Sequence, residues 1–188
     1  PVLCSLACVA TNDVSLEALD GRRAHVVARL LCDGSEVAVE TGEVLFRDYG
    51  LSGIAVFDLS RWARPDDVIT LDLTCGLSEA RARRLVEAAG GCSGLLDPVI
   101  SAELKGSLDI ARDLRLVVLG PAEPQRAQVT RGGLLTAQFD PTTLEARELP
   151  GLFACGEALD VDGACGGFNL AWAWKSGLVA GSGAVGHA

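Results

Sequence analysis

The segment from Leu152 to Gly181 constrains this chain more than any other. An apolar run, Leu152 to Cys155, has the length of a buried strand and leads toward a glycine-rich loop, Gly163 to Gly167. Asn169 then opens a stretch in which Leu170, Trp174, Leu178 and Val179 recur at helical spacing, on one side of a predicted helix. Strand, glycine loop and helix in that order turn bare helix amides toward the loop, and such amides hold negatively polarised groups. The positions offered to a ligand are Gly156 and Glu157 at the strand end, Asp160 in the loop beyond, and Gly166, Gly167, Phe168 and Asn169 where the helix starts. Read from the residues alone, a solvated acidic loop and an ordinary glycine turn also fit.

The rest of the chain has a different grain. Over residues 1–46 the pattern is of short antiparallel strands: Val14, Leu16 and Ala18 alternate with Ser15 and Glu17, and Glu36 to Phe46 alternates again with one break at Gly42. Asp20-Gly21 and Asp33-Gly34 supply turns, the second after the run His25 to Cys32. This spacing predicts a small β-barrel or curled sheet. After Tyr49 to Gly53 the period changes, with Ile54, Phe57, Asp58 and Arg61 at helical spacing up to Arg64-Pro65. A strand is expected over Val68 to Leu73. Ser78 then caps a helix carrying Ala82, Leu85, Val86 and Ala89 and stopped by Gly90-Gly91, and Asp97-Pro98 starts another that runs to about Leu104. Leu114 to Leu119 and Leu134 to Phe139 read as strands, and Asp140-Pro141-Thr142 as a turn.

Composition excludes several classes. The net charge is −9, and the densest basic run, Arg81, Arg83 and Arg84, is flanked by Glu79 and Glu87. A nucleic-acid surface, which works by neutralising phosphates, is therefore not expected. No apolar run reaches the roughly 18 to 20 residues of a membrane span. Pro1 is followed by no basic leader, so the cytoplasm is the expected compartment. The seven cysteines form no Cys-x-x-Cys pair, and only His25 and His187 could join them. No metal site is expected, and the thiols read as reduced, small and mostly buried. Methionine is absent, and Pro1 leads straight into strand-like sequence. The expectation is a piece of a longer protein.

Four motifs give that expectation a frame. They are Val129-Thr130-Arg131-Gly132-Gly133, Pro150-Gly151-Leu152-Phe153-Ala154-Cys155-Gly156-Glu157, Leu159-Asp160-Val161-Asp162-Gly163, and Gly166-Gly167-Phe168-Asn169-Leu170. In this order they resemble the C-terminal signature of the BaiN-like NAD(P)/FAD-dependent oxidoreductases, which include flavoproteins of the aminoacetone-oxidase type. Gly42-Glu43-Val44-Leu45-Phe46 and Tyr49-Gly50-Leu51-Ser52-Gly53 resemble that family's second signature. The likeness runs from about residue 1 to residue 181.

The resemblance implies an α+β chain. Residues 1–126 would be a β-barrel-like inserted substrate domain with a short helical insert over about 76–107. Residues 127–188 would be the C-terminal strand-loop-helix part of a Rossmann-like FAD-binding domain. No G-x-G-x-x-G follows an N-terminal strand, so the nucleotide-binding segment of the same protein would be the partner that completes the site. The implied cofactor is FAD, with NAD(P)H as a candidate electron donor and a small molecule as substrate. Glu157 or Asp160 would take a ribityl hydroxyl, and the amides around Gly166-Gly167 would face the flavin pyrimidine edge.

The sequence also departs from the family. Arg47 and Asp48 stand where Thr-His is common, Ile54 where Pro is usual and Ala171 where Gln is usual. The catalytic group is thus unidentified. Cys165, Trp172 and Trp174 read as packing residues, and neither His25 in its strand nor His187 in the tail is a catalytic candidate. The alternative to an oxidoreductase fragment is a stand-alone ligand- or partner-binding β domain without catalytic activity.

Overall fold

In the computed structural model, which describes residues 2–186, alternation of side chains becomes a closed barrel. Six strands form it: β1 (Leu6–Ala10), β2 (Arg23–Cys32), β3 (Ser35–Arg47), β4 (Gly50–Ser52), β5 (Val68–Asp72) and β6 (Leu114–Pro121). Their order around the barrel is β1-β4-β3-β2-β5-β6, with β6 pairing back onto β1 and every pair antiparallel. Every second residue points inward. Val26, Ala28 and Leu30 of β2, Val44 and Phe46 of β3, and Leu114, Leu116 and Val118 of β6 are fully buried. Each of these side chains other than Ala28 contributes roughly 1.5–3 kcal/mol on leaving water. Closure leaves no long open edge, which suits a chain with few aromatic residues to cover one.

Glycine sets the tightest joint. At Gly50, φ is +149°, and a Cβ there would lie 2.2 Å from the Leu6 carbonyl oxygen on β1. The Tyr49–Gly53 motif therefore has a packing reason for its glycine, independent of any ligand. Beyond it, α1 (Ile54–Leu59) lays Ala55 over Gly42, so the expected break at Gly42 is a place where a helix approaches an unbroken β3.

The expected strand over Val14 to Ala18 is not formed. Residues 16–21 are a chain of turns, with Leu19 N–H donating to Leu16 O and Arg22 N–H to Leu19 O. Val14, Leu16 and Leu19 are all buried in the barrel core. Val14 and Leu16 fit the strand alternation, but the third buried residue is Leu19 and not Ala18, which is exposed, as turns and not a strand allow. The helical insert contains α2 (Glu79–Ala89), α3 (Pro98–Glu103) and α4 (Leu108–Arg112), so it runs past the expected limit near 107. Ser78 and Asp97 stand at the expected N-caps. Asp97 accepts from the Val99 and Ile100 amides, whereas the Ser78 hydroxyl makes no capping bond.

The chain divides into two units, Leu3–Ala127 and residues 128–186 together with Val2. In the second unit the expected strands over Leu134 to Phe139 and Leu152 to Cys155 are reduced to isolated bridges, Leu134 with Leu159, Phe139 with Ala146 and Glu145 with Phe153. Thr136–Gln138 is instead a single 3₁₀ turn. A strand persists only with a ladder beside it, and the described residues of this unit supply none. Its one long element is α5 (Phe168–Gly186), which starts one residue before Asn169.

The packed face of α5 is not the predicted one. Leu170, Trp174 and Leu178 are 62%, 72% and 70% exposed, while Ser176 and Ala180 are buried and Trp172 and Val179 half-buried. Small residues decide this. A Cβ on Gly183 would come within 2.9 Å of both the Phe153 ring and the Thr143 carbonyl oxygen, and Gly156 sits beside Ala173. The helix approaches its loops along the face with the least bulk. His187 lies outside the described residues.

Candidate functional site

Within the second unit the motif segments lie against one another. Leu134 N–H donates to Ala158 O at 2.8 Å, and Asp160 N–H donates back to Leu134 O at 2.9 Å. Gly132 N–H reaches the Asp160 carboxylate at 3.1 Å, and Arg131 pairs with Asp162 at 3.2 Å. The close approach requires glycine at 133, where φ is +148° and a Cβ would sit 2.8 Å from Ala158 O. The first and third motifs are thus two edges of one stitched ribbon.

A second set of bonds ties this ribbon to α5. Gly156 N–H donates to the Ser176 hydroxyl at 2.9 Å, and Gly156 O accepts from the Trp172 indole at 3.1 Å. Ser176 in turn donates to Trp172 O at 2.6 Å. At the helix start, the Asn169 side chain accepts from Gly163 N–H at 2.8 Å and donates to Gly163 O at 2.9 Å. Both polar ends of Asn169 are therefore spent on holding the glycine loop. Ala171 N–H closes the first helical turn onto Gly167 O. The amides of Phe168, Asn169 and Leu170 precede that bond and are the bare donors of the helix end.

The sequence-predicted positions fall into three groups. Gly156, Asp160 and Asn169 are engaged in holding the site together. Glu157 is exposed on a short 3₁₀ turn, Gly156–Ala158, and its carboxylate makes no hydrogen bond or ion pair with the described residues. Gly166 and Gly167 are exposed with φ of +115° and +92°, and a Cβ on Gly167 would meet nothing within 4 Å. Phe168 beside them is 64% exposed. An unengaged acid, open glycine backbone and an exposed ring occur together on this short stretch. Sequence reading missed Ser176 and Arg131. Ser176 had a signal, since a hydroxyl within an apolar stretch of helix calls for a partner when buried.

The barrel positions that depart from the resembled pattern have local jobs. Arg47 donates to Asp20 at 2.9 Å and lies over the Tyr49 ring, and Asp48 accepts from Tyr49 N–H at 2.9 Å. They fasten the 16–21 turns to β3. All seven cysteines are unpaired by disulfides, and burial pushes the Cys8 thiol up to about 12. Among the described residues no group of acids, histidines and thiols could hold a metal ion, and no helix is long and apolar enough to cross a membrane.

Comparison with known proteins gives this geometry its context. The 3-dehydro-bile acid delta(4,6)-reductase of Clostridium scindens is 28% identical over an alignment of 201 residues, which takes in 88% of this chain and 49% of that protein. The ribosomal RNA dihydrouridine synthase of Escherichia coli is 30% identical over 173 residues, 76% of this chain and 43% of that protein. Its Haemophilus influenzae counterpart is 28% identical over 191 residues, 88% of this chain and 47% of that protein. The chain thus spans about half the length of the relatives it matches. The model of the HI0933-like protein Rossmann domain matches residues 25–183, from β2 through the glycine loop and along most of α5, and the chain belongs to that family.

Proposed function

We propose that this chain is the barrel and C-terminal part of a flavin-dependent oxidoreductase, and that the stretch from Gly156 to Asn169 faces the flavin. The carrying observation is the division of labour in that stretch. Gly156, Asp160 and Asn169 hold the loops, while Glu157 and the first amides of α5 take no partner among the described residues and Gly166-Gly167 leaves exposed backbone beside them. These residues fit FAD. Glu157 is the acid free to accept from a ribityl hydroxyl, which Asp160 is less able to do with one oxygen bonded to Gly132. The amides at the start of α5 favour negative charge on the pyrimidine edge of the ring. A nucleotide-binding segment of the same protein would supply the pyrophosphate contacts.

When bound, FAD would supply hydride chemistry, taking electrons from a donor such as NAD(P)H. This chain's residues would orient the ring and stabilise its reduced form. The names of the relatives suggest a substrate class. A delta(4,6)-reductase and a dihydrouridine synthase both add hydrogen across a carbon–carbon double bond. We infer the same reaction type for the intact protein, with a small molecule as substrate. Within this half of the protein the net charge of −9 favours a small molecule over RNA, because phosphate binding needs clustered cations.

The experiment is flavin content and midpoint potential of the intact protein and two variants. A yellow parent, a Glu157→Gln variant that loses cofactor at near-normal potential, and a Gly167→Val variant altered in both are expected. A colourless intact protein favours the non-catalytic binding-domain reading. A Gly167→Val variant identical to the parent removes this loop from the flavin.

A further inference from the structure

Helix α5 is inside out for a surface helix. At about 3.6 residues per turn, Leu170, Trp174, Leu178, Gly181 and Val185 fall along one face, flanked by Ala171, Gly177 and Ala184. That face carries no polar side chain. Its four large residues, Leu170, Trp174, Leu178 and Val185, are each at least 62% exposed. The polar residues lie elsewhere. Asn169 and Ser176 turn to the loops of the same unit, where both are hydrogen-bonded, and Lys175 and Ser182 lie along one flank. An amphipathic surface helix does the reverse, with its polar face in water and its apolar face inside. A helix apolar around most of its circumference belongs within a larger body.

The dimensions of the face narrow what that body is. From Leu170 to Val185 it runs about 22 Å along the axis, more than a small molecule covers. A lipid surface is a poor match. Among the described residues no helix is long and apolar enough to cross a membrane. A helix lying on a membrane sets several cations beside its apolar face, whereas α5 carries Lys175 alone in a chain of net charge −9. The relatives point to protein. They match this chain over 49%, 43% and 47% of their own length, so about as much chain again accompanies this fold in each of them. A segment joined to this chain meets α5 at high effective concentration, without the cost of bringing two free bodies together.

We propose that the half of the intact protein lying outside this chain seats on the outer face of α5. It covers Leu170, Trp174, Leu178 and Val185 with an uncharged apolar surface and fills the dip at Gly177 and Gly181. The proposal rests on the reading above that this chain is one part of a longer protein, and adds the contact that joins the parts. Covered on both faces, α5 is held in place, and its first amides with it. In this chain by itself a Cβ on either glycine meets nothing within 4 Å. Added bulk at Gly181 is therefore tolerated here and collides with the seated half in the intact protein.

Hydroxyl-radical footprinting of tryptophan tests this on two proteins, this chain and the intact protein, with exposed Trp62 of the barrel unit as internal reference. Trp174 is expected to oxidise at a rate comparable with Trp62 in this chain and at least about tenfold more slowly in the intact protein. Leu178→Lys is expected to leave the urea midpoint of this chain unchanged. The same substitution should lower the midpoint of the intact protein or stop it folding, because only there is the lysine forced out of water. Flavin content of the same preparations is read separately. A colourless intact protein with Trp174 protected removes the flavin and keeps this contact. A yellow one with Trp174 as reactive as in this chain overturns the contact alone. Protection of Trp174 in this chain that grows with its concentration assigns the face to a second copy and overturns the proposal, as does an intact protein indifferent to Leu178→Lys.

Discussion

The two units spend their apolar residues in opposite ways. The barrel unit gathers twenty-three buried side chains into one cluster, with closed ladders around it. In the second unit, among the described residues, six buried side chains form the main cluster, while Leu134, Leu135, Leu149, Leu152 and the outer face of α5 stand in water. At roughly 1.5–3 kcal/mol per buried side chain, the first core can offset the entropy of ordering its chain and the second is marginal. The contrast teaches that a fold can be divided between self-supporting and dependent parts. It is the pattern expected if residues 128–186 finish a domain begun elsewhere in the protein.

The largest expected effect is at the barrel joint. Gly50→Ala puts a carbon against the Leu6 carbonyl and the Cys8 amide in a backbone conformation that L residues avoid. It should lower unfolding free energy by more than about 3 kcal/mol, read as a fall in urea midpoint. A midpoint within error of the parent would show that the β1–β4 pairing does not close the barrel. Hydrogen exchange tests the contrast directly. Amides of β2, β3 and β5 should exchange at least about a hundredfold more slowly than those of residues 128–186. Equal protection would mean that the second unit is stable by its own contacts, and the division drawn here would fail.

Smaller effects sharpen the picture. The Cys8 pKa is raised in the folded barrel to about 12 from an ordinary 9.0. Stability from the protonated buried thiol is therefore complete below pH 9 and is lost as the pH climbs from there through about 12. The barrel should weaken progressively over that window, and Cys8→Ala should flatten the alkaline slope whatever it does to stability at pH 7. A slope equal to the parent's would assign the alkaline loss to other groups. Asn169→Ala removes both bonds to Gly163 and should cost about 1–2 kcal/mol locally. That loss should appear as faster exchange at residues 163–170 with the barrel untouched, and no change there would leave the loop held by other contacts. At the small end, Gly181→Ala meets open space on α5 and should stabilise the helix by about 0.5–1 kcal/mol. A destabilised variant would reveal that something closes on that face.

Much of this was legible in the residues. The run His25–Cys32 and the alternation along Glu36–Phe46 mark most of β2 and β3, and Asp97-Pro98 and Gly90 mark helix ends where they occur. These signals are local: a period, a cap or a left-handed glycine is fixed by neighbours within one turn of chain. The motifs from Val129 to Leu170 also named the family, since order and spacing survive in sequence. What the residues could not show was which alternations find a partner. Val14 to Ala18 and Leu134 to Phe139 have strand patterns, yet one became turns over the core and the other a 3₁₀ turn with single bridges, because a strand is a property of two segments.

The helix tells the same story from the other side. Hydrophobicity put Leu170, Trp174, Leu178 and Val179 on one side of α5; of these only Val179 packs, and close approach to Phe153, Thr143 and Gly156 brings in Trp172, Ser176, Ala180 and Gly183 instead. The assignment of Asn169 and Asp160 to holding loops, with Glu157 left free, likewise emerged only when residues 28 or fewer positions apart were folded onto one another. The sequence by itself determined the periods, the caps and the motif order. Tertiary structure decided which faces meet and which polar groups are already satisfied, because steric fit and hydrogen-bond satisfaction depend on neighbours that the chain brings together only by folding.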